Sequence, residues 1–224
     1  MMTGQEDGPA QECSSPPCSA GDVDPLSMGL NNGGTAVQTI ADWRKRERQR
    51  LIAARLALPP EERASHAAAI TISLDEVIGD VAGKTISTYW PFRGEPDLRP
   101  WMQRVSDRGG VCLLPVVVQK AQPLIFRSWK MGEPLGRGVW NIPIPEHGRE
   151  MTPDIVIAPL VGYDDGCFRL GYGGGFFDRT LASIAKPAMV IGVGYSTQEL
   201  ATIRPQPHDI PMDVIVTEQA VRYR

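Results

Sequence analysis

The hydrophobic positions of this chain gather into short, nearly unbroken runs separated by amphipathic stretches. The runs are TISTYW (85–90), VCLLPVVV (111–118), PLIFRSW (123–129), DIVIAPLVGY (154–163), AMVIGVGYS (188–196) and DVIVT (213–217). Runs this short and rich in β-branched residues predict strands buried on both faces. Between them, EPDLRPWMQRVSDRG (95–109) and FFDRTLASIA (176–185) carry helical spacing. Two more helices are predicted ahead of the first strand. Asp42 is placed to N-cap WRKRERQRLIAARLAL, which Pro59–Pro60 terminates, and a second helix runs from about Pro60–Glu61 through HAAAITISLDEVI. In the first of these, Trp43, Leu51, Ile52 and Leu58 form the apolar face, while Arg44, Lys45, Arg46, Arg48, Arg50 and Arg55 make the remainder cationic. Strands alternating with helices predict an α/β fold, a single open and mostly parallel sheet with helices on both faces.

Residues 1–41 break this pattern. They are rich in Gly, Ser and Pro, poor in aromatics and without a period, so a disordered tail is expected ahead of a domain spanning 42–224. Cys13 and Cys18 fall in that tail with no partner pair downstream and read as two thiols, not a zinc site. The chain of 224 residues is 42% hydrophobic and 22% charged, as soluble globular proteins are. No stretch approaches the ~18–20 apolar residues of a membrane span. The opening MMTGQEDGPA lacks the basic and apolar segments of a secretory leader, and four cysteines are too few for a disulfide scaffold. A cytoplasmic protein is expected, without a membrane partner.

The net charge of −3 conceals an asymmetry. Residues 1–43 carry six of the 26 acids and no Lys or Arg, leaving 20 acids against 23 bases in the remainder. A mildly basic body suits a small anionic substrate. It lacks the dense basic stripe of a nucleic-acid binder, so nucleic acid is not an expected partner.

The most informative local segment is RLGYGGGFFDR (169–179), which follows a predicted strand and opens a helix. Gly171, Gly173, Gly174 and Gly175 expose successive backbone N–H groups beside a helix N-terminus, an anion cradle suited to phosphate and flanked by Arg169 and Arg179. It is neither a Walker A loop nor a dinucleotide fingerprint. Glycines at such a turn can also serve positive φ alone. Asp178, in the first turn of that helix, either compensates the macrodipole or binds Mg²⁺. Asp213, in HDIPMD (208–213), is the candidate second carboxylate. Glu95 follows the strand TISTYW, where ligand groups gather in open α/β folds. Trp90, Trp129 and Trp140 are candidates to stack on a flat heterocycle. His208 is either an acid/base group or a turn residue. His66 and His147 have no constellation, and Cys112 and Cys167 read as buried thiols.

Taken together, residues 42–220 resemble the 5-formyltetrahydrofolate cyclo-ligase family. The resemblance rests on an ordered series: ARLALPPEER, YWPFRGEPD, VCLLP, WNIPIP (140–145), PDIVIAPLVGYDDGCFRLGYGGGFFDR and QELATIRPQPHDIPMDVIVTE. It implies an ATP-dependent enzyme converting 5-formyltetrahydrofolate, polyglutamylated or not, to 5,10-methenyltetrahydrofolate with release of ADP and phosphate. It further implies that Arg44 and Arg48 contact ATP and that the loop Arg169, Leu170, Gly171, Tyr172, Gly173, Gly174, Gly175, Phe176 and Phe177 holds the phosphates. Asp178 and Asp213 would bind Mg²⁺, with Arg169 and Asp178 catalytic. Trp90, Glu95 and Trp140 would line the folate pocket, Glu95 accepting from the pterin N–H groups. A monomer is expected.

Three departures stand out. Arg44 occupies a position often held by Lys. Phe176–Phe177 stands where relatives often have at least one Tyr. Basic residues that some relatives carry at the positions of Tyr172 and Gly174 are absent, and the surplus arginines of the first helix are expected to compensate. Other readings are a paralogue or regulatory module that binds folate or nucleotide without turnover, and an RNA binder using the arginine-rich helix.

Overall fold

The computed structural model describes residues 39–184 and 189–224. The tail expected over 1–41, with Cys13 and Cys18, lies outside the described residues as far as residue 38. Helix α1 (Ile40–Ala57) begins two residues before the expected cap. The Thr39 hydroxyl accepts from Asp42 N at 3.1 Å and donates to its carboxylate at 2.6 Å, so Asp42 sits in the first turn and Thr39 is the N-cap. Helix α2 (Pro60–Ile78) starts on Pro60, whose missing N–H costs nothing there.

The remaining elements, in chain order, are β1 (Thr85–Ser87), α3 (Arg99–Asp107), β2 (Val111–Val116), β3 (Ile125–Ser128), β4 (Leu135–Arg137) and β5 (Pro143–Pro145). They continue with β6 (Ile155–Pro159), β7 (Gly162–Tyr163), β8 (Arg169–Leu170), α4 (Phe176–Ser183), β9 (Met189–Val193), β10 (Val214–Val216) and β11 (Val221–Tyr223). Seven strands form one sheet in the order β11-β10-β9-β6-β1-β2-β3. The five central strands run parallel, and the two edge strands, β3 and β11, are antiparallel. This is the open, mostly parallel α/β sheet expected from the runs. Two short ribbons, β4–β5 and β7–β8, were not anticipated: β4, β5 and β8 lack a continuous apolar run, and β7 falls inside the run read as one strand over 154–163.

Alternation along the strands divides the core. Ile155, Ile157, Ile191, Val193, Val214 and Val216 pack with Ile70 and Leu74 of α2 and Trp101, Met102 and Val105 of α3. Ala158 and Ile215 point the other way, into a cluster with Phe177 and Leu181 of α4. Helices thus cover both faces. Helix α1 joins through Leu51, fully buried against Val161, Leu170 and Ile203. Among the described residues no helix is long and apolar enough to cross a membrane.

The strand order reverses between β1 and β6. From β1 the chain moves outward to β2, and from β6 it moves outward the other way to β9. Loops leaving the C-terminal ends of β1 and β6 therefore diverge and leave a crevice between them, as open α/β sheets do at such a point. Leu51 anchors α1 beside this crevice. Leu51→Ala is expected to destabilise the fold by ~2–5 kcal/mol in urea unfolding. Leu56→Ala, on the exposed side of the same helix, should change stability by no more than ~0.5 kcal/mol.

Candidate active site

The crevice is an open cleft with about 1290 Å³ of empty space continuous with solvent. It is lined by the segment after β1, the end of β2, the β4–β5 ribbon, the loop from β8 into α4, and one face of α1.

Trp90, Phe92 and Glu95 come from the segment after β1. Arg93 and Gly94 both have positive φ, 47° and 76°, and the tight turn they make returns Glu95 N to Phe92 O at 3.2 Å. The Glu95 side chain folds back over the same turn, Oε2 accepting from Phe92 N at 2.9 Å and Oε1 from the Tyr172 hydroxyl at 2.8 Å. Burial pushes the Glu95 carboxyl up to about 7, against the opposing pull of Arg55, Phe92 N–H and the Tyr172 hydroxyl. Trp90 lines the cleft and meets Trp129 edge-on at 5.6 Å. Trp129 itself is buried behind it in the core.

Trp140 reaches the cleft from the turn joining β4 to β5 and is 55% exposed. It lies nearly parallel to the Phe92 ring, 6.2 Å away. Trp140 and Asn141 are both in the left-handed region, at φ 56° and 59°, a strained backbone for residues with a Cβ.

The glycine segment turns between β8 and α4. Gly173 and Gly175 have φ of 95° and 61°, so positive φ is part of what the glycines supply. Gly171 answers a different need: a Cβ there would lie 2.6 Å from the Arg169 guanidinium. Gly175 is the N-cap of α4 and no side chain caps that helix, which leaves its first N–H groups toward the cleft.

Arg169 is buried. One Nη donates to Asp178 Oδ2 at 3.0 Å, its guanidinium lies 5.0 Å over the Phe177 ring, and its Nε has no partner among the described residues. Burial lowers its pKa, opposed by Asp178 and Asp209. Asp178 Oδ1 has only a long contact, 3.5 Å from Ile210 N.

The arginines of α1 divide by function. Arg48 lines the cleft, donating from Nε to Gly171 O at 2.7 Å, with its guanidinium beside Gly173. Burial and Arg44 lower its pKa. Arg44 also lines the cleft, but its donors are occupied by Ile203 O, Arg204 O and both oxygens of Asp209, at 2.5–3.2 Å. Burial alone would raise the Asp209 carboxyl; Arg44 and the Gln206 N–H hold it below the usual range. Arg55, grouped with the cationic surface in the sequence, is buried and donates to the carbonyls of Arg93 and Leu160 and to the Tyr172 hydroxyl.

Asp213 does not join the cleft. It stands at the N-terminal start of β10, the opposite sheet edge, and its carboxylate accepts from Val190 N at 2.9 Å. The aspartate that shares the cleft with Asp178 is Asp209, four residues before Asp213 in the same motif. The exposed His208 beside it also lines the cleft. Among the described residues no group of three or more His, Cys, Asp or Glu converges as a metal cage. Arg55 was legible only as a register: positions 44, 48, 51 and 55 share a helix face with buried Leu51. Asp209 offered no separate signal beside Asp213.

The comparisons agree with this geometry. The 5-formyltetrahydrofolate cyclo-ligase of Escherichia coli K12 is 28% identical over 174 residues, covering 75% of this chain and 96% of the relative. That of Mycolicibacterium smegmatis is 30% identical over 145 residues, covering 61% of this chain and 75% of the relative. The NMR structure of Aquifex aeolicus 5,10-methenyltetrahydrofolate synthetase superposes with a TM-score of 0.70 at 28% identity, covering 80% of this chain and 92% of that one. The model of the 5-formyltetrahydrofolate cyclo-ligase family matches residues 40–218. The sheet, the cleft at its switch point and this match over most of the chain make it a member of the 5-formyltetrahydrofolate cyclo-ligase family.

Proposed function

We propose that the chain converts 5-formyltetrahydrofolate and ATP to 5,10-methenyltetrahydrofolate, ADP and phosphate in this cleft. One observation carries the reading. A glycine loop with an uncapped helix N-terminus and a buried, part-unpartnered Arg169 opens onto the same space as Glu95 and its aromatic neighbours. An anion site and a flat, polar-ended heterocycle site are thereby adjacent.

In the first step the N5-formyl oxygen attacks the γ-phosphorus, forming an O–P bond as the bond to the ADP oxygen breaks. N10 then bonds to the formyl carbon, phosphate leaves with the former formyl oxygen, and the N10 proton passes to phosphate or water. Phosphoryl transfer depends mainly on positioning and charge stabilisation. The loop N–H groups and Arg48 supply donors for phosphate oxygens, the Arg169 guanidinium adds positive charge beside them, and Asp178 holds that guanidinium in place. Trp90, Trp140 and Phe92 supply flat apolar faces, and Glu95 accepts from pterin N–H groups.

The donor set fits Mg²⁺ carried by the nucleotide. Such an ion needs only one or two carboxylates and keeps waters and phosphate oxygens as its other ligands. Asp178, with one oxygen nearly free, would hold it. When bound, the metal neutralises charge on the transferring phosphoryl group. Asp209 is committed to Arg44, and Asp213 lies at the other sheet edge.

Turnover, binding and pH measurements test the proposal. Wild-type protein with 5-formyltetrahydrofolate, ATP and Mg²⁺ should show the near-ultraviolet absorbance of the methenyl product, together with ADP release. Asp178→Asn should lower that rate by at least ~10²-fold while still melting cooperatively. Ligand binding by the wild type without ADP release would instead mark a binding module. Gly171→Ala should push the Arg169 guanidinium aside and raise the KM for ATP by about 10²-fold, with folate affinity measured by titration unchanged. Because an ionised Glu95 offers two charged acceptor oxygens where the protonated acid turns one of them into a donor, folate affinity should rise as pH increases through about 7. Glu95→Gln should flatten that dependence, and a wild-type affinity flat from pH 6 to 8, a range of about two units around that value, would refute the assigned role.

A further inference from the structure

We propose that Tyr172, although carried on the glycine loop, is a positioning residue for the folate end of the cleft: its hydroxyl, backed by the Arg55 guanidinium, holds Glu95 oriented as the acceptor for the bound ring. This rests on the reading of the cleft given above.

The Tyr172 hydroxyl stands among three polar groups. Glu95 Oε1 lies at 2.8 Å, an Arg55 Nη at 2.5 Å and Phe92 O at 3.3 Å. A phenol has one proton and two lone pairs. Arg55 can only donate, so it takes a lone pair, and the proton goes to the nearer and charged acceptor, Glu95. The other carboxylate oxygen is held by Phe92 N–H. Each Glu95 oxygen is thus fixed by one internal donor and retains a lone pair for a ligand.

The remaining charged or titratable groups facing Glu95 do not share this task. Tyr89, in the segment after β1, donates to Pro96 O at 2.9 Å. Tyr195, after β9, donates to Gly94 O at 3.1 Å. Asp97 lies beyond Tyr89 and is paired with Arg99. Arg55, from α1, is anchored on the carbonyls of Arg93 and Leu160. Burial drives the carboxyl toward its neutral form, so the Tyr172 hydroxyl favours the ionised, accepting form.

Tyr172→Phe removes only the hydroxyl and leaves the ring packed against Phe92 and Trp140. The first measurement is the Glu95 side-chain titration by carboxyl-carbon NMR of the free protein, with Glu95→Gln identifying the signal. The midpoint should move up by about one unit, the scale of a hydrogen bond to a charged group. The second is titration with 5-formyltetrahydrofolate across pH. Affinity should fall about 10-fold near neutrality and recover as pH is raised, with ATP affinity unchanged. An unshifted midpoint overturns the proposal, as does a folate defect of equal size at every pH, which packing alone would produce. Failure of the wild type to bind 5-formyltetrahydrofolate would count against the proposed function, and the free-protein titration would still decide the Tyr172–Glu95 link.

Discussion

The cleft depends on one buried guanidinium. Arg55 is 1% exposed, and removing such a cation from water is costly unless its donors are satisfied. Its donors reach the Arg93 carbonyl in the turn after β1, the Leu160 carbonyl just past β6, and the Tyr172 hydroxyl on the glycine loop. These are the two loops that part at the switch point and the segment that follows them. A single side chain from α1 thereby ties together walls that the sheet alone would leave free to diverge. The planar, five-donor fork of arginine is what permits bonds in several fixed directions; a lysine could not reproduce them.

Helix α1 is consequently an unusual amphipathic helix. Its inward face is Arg44, Arg48, Leu51 and Arg55, and its apolar contacts with the core come from Leu51 and the half-buried Ile52 beside it. Arg44 ties the 203–209 segment through Asp209 and two carbonyls, and Arg48 ties the glycine loop through Gly171 O. Docking through directed polar bonds fixes register more tightly than area burial, because each bond requires one partner in one place. The same face serves as wall and scaffold. Arg48 retains donors toward the cleft, whereas Arg44 has its donors on protein partners.

Aromatic residues divide along the cleft in a complementary way. Phe176 and Phe177, without hydroxyls, lie under the guanidinium groups of Arg179 and Arg169. Their π faces favour those cations and require no hydrogen-bond partner. The loop's phenol is Tyr172, and it is turned to Glu95, at the other end of the cleft. A hydroxyl absent from the 176–177 pair is therefore not resupplied beside Arg169 by Tyr172.

The strands β1, β2, β3, β6, β9 and β10, the four helices and the glycine turn were legible because each is encoded locally, by runs, periods and punctuation. The ribbon strands β4, β5 and β8 and the edge strand β11 were not, since LGR, PIP, RL and VRY carry no continuous apolar run, and β7 was merged into the run read as one strand over 154–163. Among candidate site residues, Glu95, Trp90, Trp140, Arg169 and Asp178 were named from motifs, and the cleft collects all five. Asp213 was read as the partner of Asp178, but parallel pairing with β9 places it at the opposite sheet edge, where Val190 N–H takes its carboxylate. Arg55 was grouped with the cationic remainder of the first helix, because a sequence records a cation without recording the carbonyls that can receive it. The sequence by itself determined the strands of the main sheet apart from β11, the helices, the glycine turn and the family resemblance. Tertiary structure alone decided which charges are buried and which carboxylates face the cleft, because burying a charge depends on partners tens of residues away that only the folded chain brings within hydrogen-bond distance.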